Sequence, residues 1–174
     1  IGKSMGITNS NDNQFLIGFL FVGMAFGQLL FGPLSDSIGR RLSMMIGYIV
    51  FFIGSLVAFI ANDFDTLLMG RFLQGFGVAA PRVLTIAIVR DLYEGRSMAR
   101  VMSFIMMIFI VIPMLAPMFG QFILTIANWQ AIFVVIAFIG MISLAWYQLR
   151  QGETLAIEDR ADFNMLRMKY ALKV

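Results

Sequence analysis

Five stretches of the chain are apolar with almost no polar interruption, over residues 15–34, 43–61, 67–88, 101–123 and 131–149. Each holds roughly the 20 residues that a helix rising about 1.5 Å per residue needs to cross about 30 Å of hydrocarbon. Membrane strands would instead show shorter runs of alternating polarity. The pattern predicts an all-α fold, a polytopic transmembrane helix bundle over residues 1–150. A cytoplasmic linker is expected over 151–174, where charge is mixed with Leu155, Phe163, Leu166, Met168 and Leu172 in the manner of an amphipathic helix. The polar opening, residues 8–14, reads as an external loop ending in a helix N-cap at Asn11 or Asp12.

Composition confirms that the solvent is lipid. Of 174 residues 60% are apolar and 13% charged, and the mean hydropathy is +0.86. A soluble domain carries about 25% charge because its outside must be wetted. With no cysteine and no histidine, a disulfide scaffold and a zinc fold are excluded. No nucleophile stands with a base, and no metal cluster or phosphate loop is visible, so neither an enzyme nor a cofactor is expected.

The net charge of +3 does not point to nucleic acid, because the basic residues sit between the apolar runs. They set orientation instead. Arg40 and Arg41, then Arg90, Arg96 and Arg100, then Arg150, Arg160, Arg167, Lys169 and Lys173 fall on one set of ends, and only Lys3 falls on the other. The arginine-rich side is expected to be cytoplasmic, with residue 1 outside and residue 174 inside. Trp129 opens the last run on the outer side, and Trp146 with Tyr147 closes it on the inner, where amphipathic rings settle. A chain that starts outside on Ile1, with no basic leader, is expected to follow another helix, which makes the five runs helices two to six of a larger protein.

Three constellations stand out from this background. The first, Gly32-Pro-Leu-Ser-Asp36-Ser-Ile-Gly39-Arg40-Arg41, occupies the first cytoplasmic turn. Gly32 is read as permitting close helix approach, Gly39 as a left-handed turn residue, and Asp36 as a favourable partner for Arg40 four residues on. Taken alone, this describes a surface ion pair worth under about 1 kcal/mol.

The second lies in the third run: Arg71, Gln74, Gly75, Gly77, Ala79, Ala80, Pro81 and Arg82. An arginine at mid-membrane costs about 2.5–3.5 kcal/mol on insertion scales, so both call for water or a partner. Eleven residues apart, they return to within about 20° of one helix face, about 16 Å apart along the axis. For Arg71, near the start of the run, snorkelling to the outer interface is the competing reading. The third, in the fourth run, is Pro113, Pro117 and Gly120; Pro117 has no amide for the carbonyl of Pro113, which predicts a bent helix.

These strings resemble signatures of the major facilitator superfamily of secondary transporters. The first matches that family's loop motif G-x-L-x-D-x-x-G-R-R, and LLMGRFLQGFGVAA resembles its helix-four signature at Arg71, Gln74, Gly75, Gly77, Ala79 and Ala80. In the antiporter signature of helix five only Pro117 and Gly120 match strictly; Ile112, Ala116 and Gln121 depart from it. The stretch from Arg82 to Phe104, the PMLAPMFGQFIL that follows, and Glu153-Thr154-Leu155 look like the bicyclomycin-resistance type of drug:proton antiporter.

The resemblance implies the N-terminal half of a transporter, with helix one and the C-terminal half lying outside this chain, in a bacterial inner membrane. It implies that small amphipathic drugs leave in exchange for protons by alternating access. Gly32, Asp36, Gly39, Arg40 and Arg41 are then expected to latch the inner gate against the other half. Arg71, Gln74, Gly75 and Arg82 are expected at the cavity and its coupling to protons, and Pro113, Pro117 and Gly120 at the bending helix. The expected partners are a small molecule, protons, lipid and the second half, and not nucleic acid.

Two alternatives remain, a nutrient or metabolite transporter of the same superfamily and a membrane scaffold or sensor that moves nothing. Among smaller signals, Gly23 and Gly27 read as tight helix packing, the 14 methionines as gap fillers, and Asp63 and Asp65 as solvated loop residues. All ten acidic residues lie at span ends or in loops, so no carboxylate is available at membrane depth to carry a proton.

Overall fold

Each apolar run forms one helix in the computed structural model, which describes residues 10–156 together with 158 and 160. The helices are α1 (Ser10–Ile38), α2 (Arg40–Ile60), α3 (Phe64–Leu92), α4 (Gly95–Ile126) and α5 (Gln130–Arg150). All five are long and apolar enough to cross a membrane. They extend the predicted runs at nearly every end, because an apolar pattern marks the hydrocarbon and a helix continues into the headgroups.

Two expectations change at the helix ends, and a third falls largely outside the described residues. α1 already includes Ser10, so Asn11 and Asp12 stand inside its first turn and not before it. Of the expected linker, residues 157, 159 and 161–174 lie outside the described residues, and with them Phe163, Leu166, Met168 and Leu172. Asp63 is more than a solvated loop residue: it N-caps α3, accepting from the Thr66 amide at 2.7 Å and the Thr66 hydroxyl at 2.8 Å.

α3 is the axis of the bundle, packed along its length by α1 on one side and α2 on the other. Lipid offers helices no hydrophobic drive to associate, so close backbone approach has to supply the contact. Small residues provide it. A Cβ on Gly75 would fall on the carbonyl of Leu20, and one on Gly23 on the carbonyl of Phe72. Gly27 meets Phe76 and Ala79 in the same way. Across the other face, Gly47 lies on Ala80, Gly54 on Leu73 and Gln74, Gly70 on Ala58, and Gly77 on Phe51.

Two apolar clusters fill the space between these contacts. One, near the start of α1 and the end of α2, holds Leu16, Ala58, Leu67, Trp129 and Phe133; the other, near the end of α1 and the start of α2, holds Met24, Phe31, Met44, Ala79, Ala80 and Leu84. α5 leans on α2, with Phe133 and Gly140 buried. α4 makes few contacts, and none of its residues is buried within the chain.

Two outcomes are expected from this packing. Gly75→Ala should destabilise the bundle by on the order of 1–3 kcal/mol, the cost of overpacking, whereas Gly18→Ala, where a Cβ meets nothing within 4 Å, should leave melting in detergent unchanged. The two Thr66 donors hold the Asp63 carboxyl below the usual carboxylate range. A lowered folded-state pKa means that the cap is intact at neutral pH and is lost as pH falls through that lowered value. Exchange of the Thr66 amide, corrected for intrinsic chemistry, should therefore accelerate on acidification in the wild type and not in Asp63→Asn.

Candidate functional site

The expected first turn is a single residue. α1 runs on to Ile38 and α2 begins at Arg40, leaving Gly39 with φ 98° and ψ 158° between them. This is not the left-handed helical conformation read from the sequence but an extended positive-φ one, open essentially to glycine alone. A Cβ there would also stand 2.5 Å from the Glu153 carboxylate. Gly32 differs from expectation as well, since a Cβ on it would meet nothing within 4 Å. It lies on the wall of a cavity, and its carbonyl accepts from the Ser35 hydroxyl at 2.8 Å.

Around this hinge the arginine expected to form a surface pair is buried. Arg40 is only 7% exposed. Its guanidinium donates to the Ser35 hydroxyl at 2.7 Å, to Asp36, and to Asp91 at the end of α3 at 2.9 Å. Asp91 also accepts from the Thr154 hydroxyl at 3.3 Å. Because Gly39 has no side chain with which to cap α2, Glu153 does so from beyond α5: its carboxylate accepts from the Arg40 amide at 2.8 Å and the Arg41 amide at 3.2 Å. A negative charge at a helix N-terminus is favourable. Arg41 turns the other way and donates to the Gln148 side chain at 2.6 Å and its carbonyl at 3.2 Å, tying α2 to α5.

One network thus joins the end of α1, the start of α2 and the end of α3 to the segment after α5. Sequence reasoning found Asp36, Arg40 and Arg41 but gave no role to Asp91, Ser35 or Gln148, and noted Glu153 only by resemblance. The available signal for Asp91 was an acid among basic neighbours at the inner end of a span, facing an arginine across the bundle.

The two intramembrane arginines do not share a chamber. Arg71 lies under the ring of Phe133 on α5, 4.6 Å from its centroid, and reaches Gln74 only at 3.4 Å. Its Nε is buried without a partner. Gln74, expected to line a cavity, is 2% exposed and donates to the Ser55 hydroxyl of α2 at 2.9 Å. Gly75, expected there too, is filled by α1 and serves packing. Ser55 was not anticipated, since a lone serine in an apolar run carries no pattern.

Arg82 points instead toward α1 and α4. Its guanidinium is 3.5 Å from the Met24 sulfur and 6.0 Å from the centroid of Phe109. It borders two cavities, an apolar one of about 390 Å³ between α1, α3 and α4, and a second of about 250 Å³ reaching the charged side chains of Asp36, Arg40 and Arg90. Pro113 lies on the wall of the apolar cavity. Pro117 is exposed, a Cβ on Gly120 would meet nothing within 4 Å, and α4 continues as a helix past both prolines.

Spans, buried interhelical polar contacts and a charged rim at one end of the bundle define a polytopic α-helical membrane protein. The Major Facilitator Superfamily model matches residues 1–169, and the chain belongs to that superfamily of transporters. Among curated relatives it is 43% identical over 141 residues to the uncharacterized MFS-type transporter YdgK of Bacillus subtilis, covering 80% of this chain and 35% of that one. It is 38% identical over 160 residues to the bicyclomycin resistance protein homolog of Haemophilus influenzae, covering 92% and 40%. To the multidrug resistance protein MdtL of Salmonella paratyphi C it is 33% identical over 156 residues, covering 87% and 40%. The chain therefore spans 35% to 40% of the length of these relatives. The crystal structure of the human organic anion transporter MFSD10 superposes with a TM-score of 0.69 at 25% identity, over 92% of this chain and 38% of that one.

The Arg40 network generates a ranking. Asp91→Asn should cost about 1.5–3 kcal/mol, the range for a hydrogen bond to a charged group, because the Asp91 side chain is only 19% exposed. Asp36→Asn should cost under about 1 kcal/mol, its side chain being 52% exposed. Melting of the purified protein in detergent gives the order, and a reversed order would show that Asp36 is the principal anchor.

Proposed function

We propose that the protein exports small amphipathic compounds from a bacterial cell across the inner membrane in exchange for protons. Its five helices would serve as the second to sixth of an N-terminal half that rocks against a C-terminal half about a central site. Residue 1 would then lie outside and residue 174 in the cytoplasm, following the distribution of arginine and lysine. Relatives named for bicyclomycin and multidrug resistance support the direction and the class of compound.

The observation that carries the reading is the network around Arg40. A gate has to be held and released, and a buried guanidinium shared between Asp36 and Asp91 is a contact whose loss changes the balance between two states. Glu153 and Gln148 make the inner ends of α1, α2, α3 and α5 move together, while half-exposed Asp36 offers its free side to the opposing half. Arg71, with its unpartnered Nε, is assigned to the coupling of a proton, since a guanidinium holds down the pKa of a carboxylate brought near it. No described carboxylate lies at membrane depth, so the proton carrier is sought outside the described residues. The bending role of α4 is assigned to Pro113, Pro117 and Gly120.

The test uses everted membrane vesicles and radiolabelled bicyclomycin. An inward-acid gradient should drive uptake that a protonophore abolishes. Asp36→Asn, at equal membrane abundance, should lower the rate by about fivefold or more, the lower end of a typical coupling energy. Uptake indifferent to the proton gradient would refute antiport, and unchanged uptake in Asp36→Asn would refute the latch.

A further inference from the structure

Of the two intramembrane arginines, Arg82 has surroundings that match no role described so far. Its guanidinium carries five N–H donors. Among the described residues it meets no carboxylate, only the Met24 sulfur at 3.5 Å and the face of Phe109. Both are weak acceptors. Counted along α3, it stands about 27 Å from the outer end and about 15 Å from the inner one, within the thickness of the bilayer.

The cavity it borders has the dimensions of a small-molecule site. Its walls are apolar: Met24 from α1, and Phe109, Ile112 and Pro113 from α4. Thr85, the other polar side chain there, already spends its hydroxyl proton on the Pro81 carbonyl at 2.6 Å. Among the described residues, the only donors left facing this space are those of Arg82. On the inner side of Arg82 the second cavity is polar, and there Arg40 is already neutralised by Asp36 and Asp91 while Arg90 remains.

We propose that Arg82 receives the acid group of an amphipathic organic anion, whose apolar body lies between Met24, Phe109, Ile112 and Pro113. A carboxylate or sulfonate takes two parallel hydrogen bonds from a guanidinium, and the apolar walls receive the rest of the molecule. An amine of the same shape would meet a like charge, and a neutral amide would gain only ordinary hydrogen bonds. The inference rests on reading the space between α1, α3 and α4 as part of the transport path. Among the amphipathic compounds of that reading, neutral ones included, it favours those carrying negative charge. The phosphate of a phospholipid has the same chemistry and has to be distinguished from a solute.

Binding, measured apart from transport, tests this. The protein, as its gene encodes it, is placed in phosphatidylcholine nanodiscs and titrated with naphthalene-2-sulfonate, naphthalene-2-sulfonamide and 2-naphthylmethylammonium. The sulfonate should bind about tenfold more tightly than either of the others. Arg82→Gln should remove that preference and leave the sulfonamide unchanged. Met24→Glu, which sets a carboxylate against Arg82, should remove it too and favour the ammonium probe. Equal binding of the three probes by the wild type, or a sulfonate preference that survives both substitutions, would overturn the proposal. In phosphatidylglycerol nanodiscs the sulfonate affinity should be unchanged. A loss there, in the wild type and not in Arg82→Gln, would put a lipid phosphate on Arg82 and overturn the solute assignment. Sulfonate preference without gradient-driven uptake would strike the exporter reading and leave this one standing; uptake without the preference would do the reverse.

Discussion

The fold depends on α3 being gripped from both sides at backbone distance. In water, burial of apolar side chains would hold such a bundle together, but the lipid chains around this one are as apolar as leucine. What remains is dispersion between closely fitted surfaces and the few polar contacts that lipid cannot satisfy. Gly23 and Gly27 on α1, Gly47 and Gly54 on α2, and Gly70, Gly75 and Gly77 on α3 give up side chains so that whole backbones touch. The hydrogen bond from Gln74 to Ser55 lies inside one of these contacts, which explains why a polar residue read as cavity-lining is sealed.

The same physics decides what the sequence reveals. Spans were legible because hydrocarbon thickness imposes a length on every helix and suppresses charge within it, so all five runs reappear as helices. Orientation was legible as an expectation for a similar reason, arginine being sparse on one side. The pair Gly23 and Gly27 was read correctly as packing, because two small residues four apart lie on one helix face. Gly32 was misread, since the same residue type serves a cavity wall as readily as a helix contact.

Contacts between distant segments were the part that stayed hidden. Glu153 caps α2 across a separation of 113 residues, and nothing local to Gly39 announces which carboxylate will arrive. Asp91 reaches Arg40 from 51 residues away. A motif of ten residues displays Asp36 and Arg40 because they are four apart on one chain, and so it draws attention to the more exposed of two carboxylates. Helix periodicity likewise put Arg71 and Arg82 on one stripe, correctly counted along α3, but their side chains meet different neighbours. One lies against α5, the other against α1 and α4.

Tight backbone contacts also constrain motion. A helix interlocked through carbonyls and glycines has no intermediate position a fraction of an ångström away, because packed interfaces shift between discrete arrangements and do not deform continuously. α1, α2 and α3 are therefore expected to travel as one body, stapled by Arg40 where α1 meets α2. α4 is attached far more lightly, whereas α5 is tied to α2 through Arg41 and Gln148. Displacing α4 breaks fewer contacts, so the cost of motion within the chain is lowest along the seam between α3 and α4. The cavity at Arg82 lies on this seam, while an apolar groove bounded by Phe52, Ser55 and Phe133 lies between α2 and α5. Space opens where α4 meets the rest of the bundle, and among the described residues the intramembrane guanidinium facing it is that of Arg82.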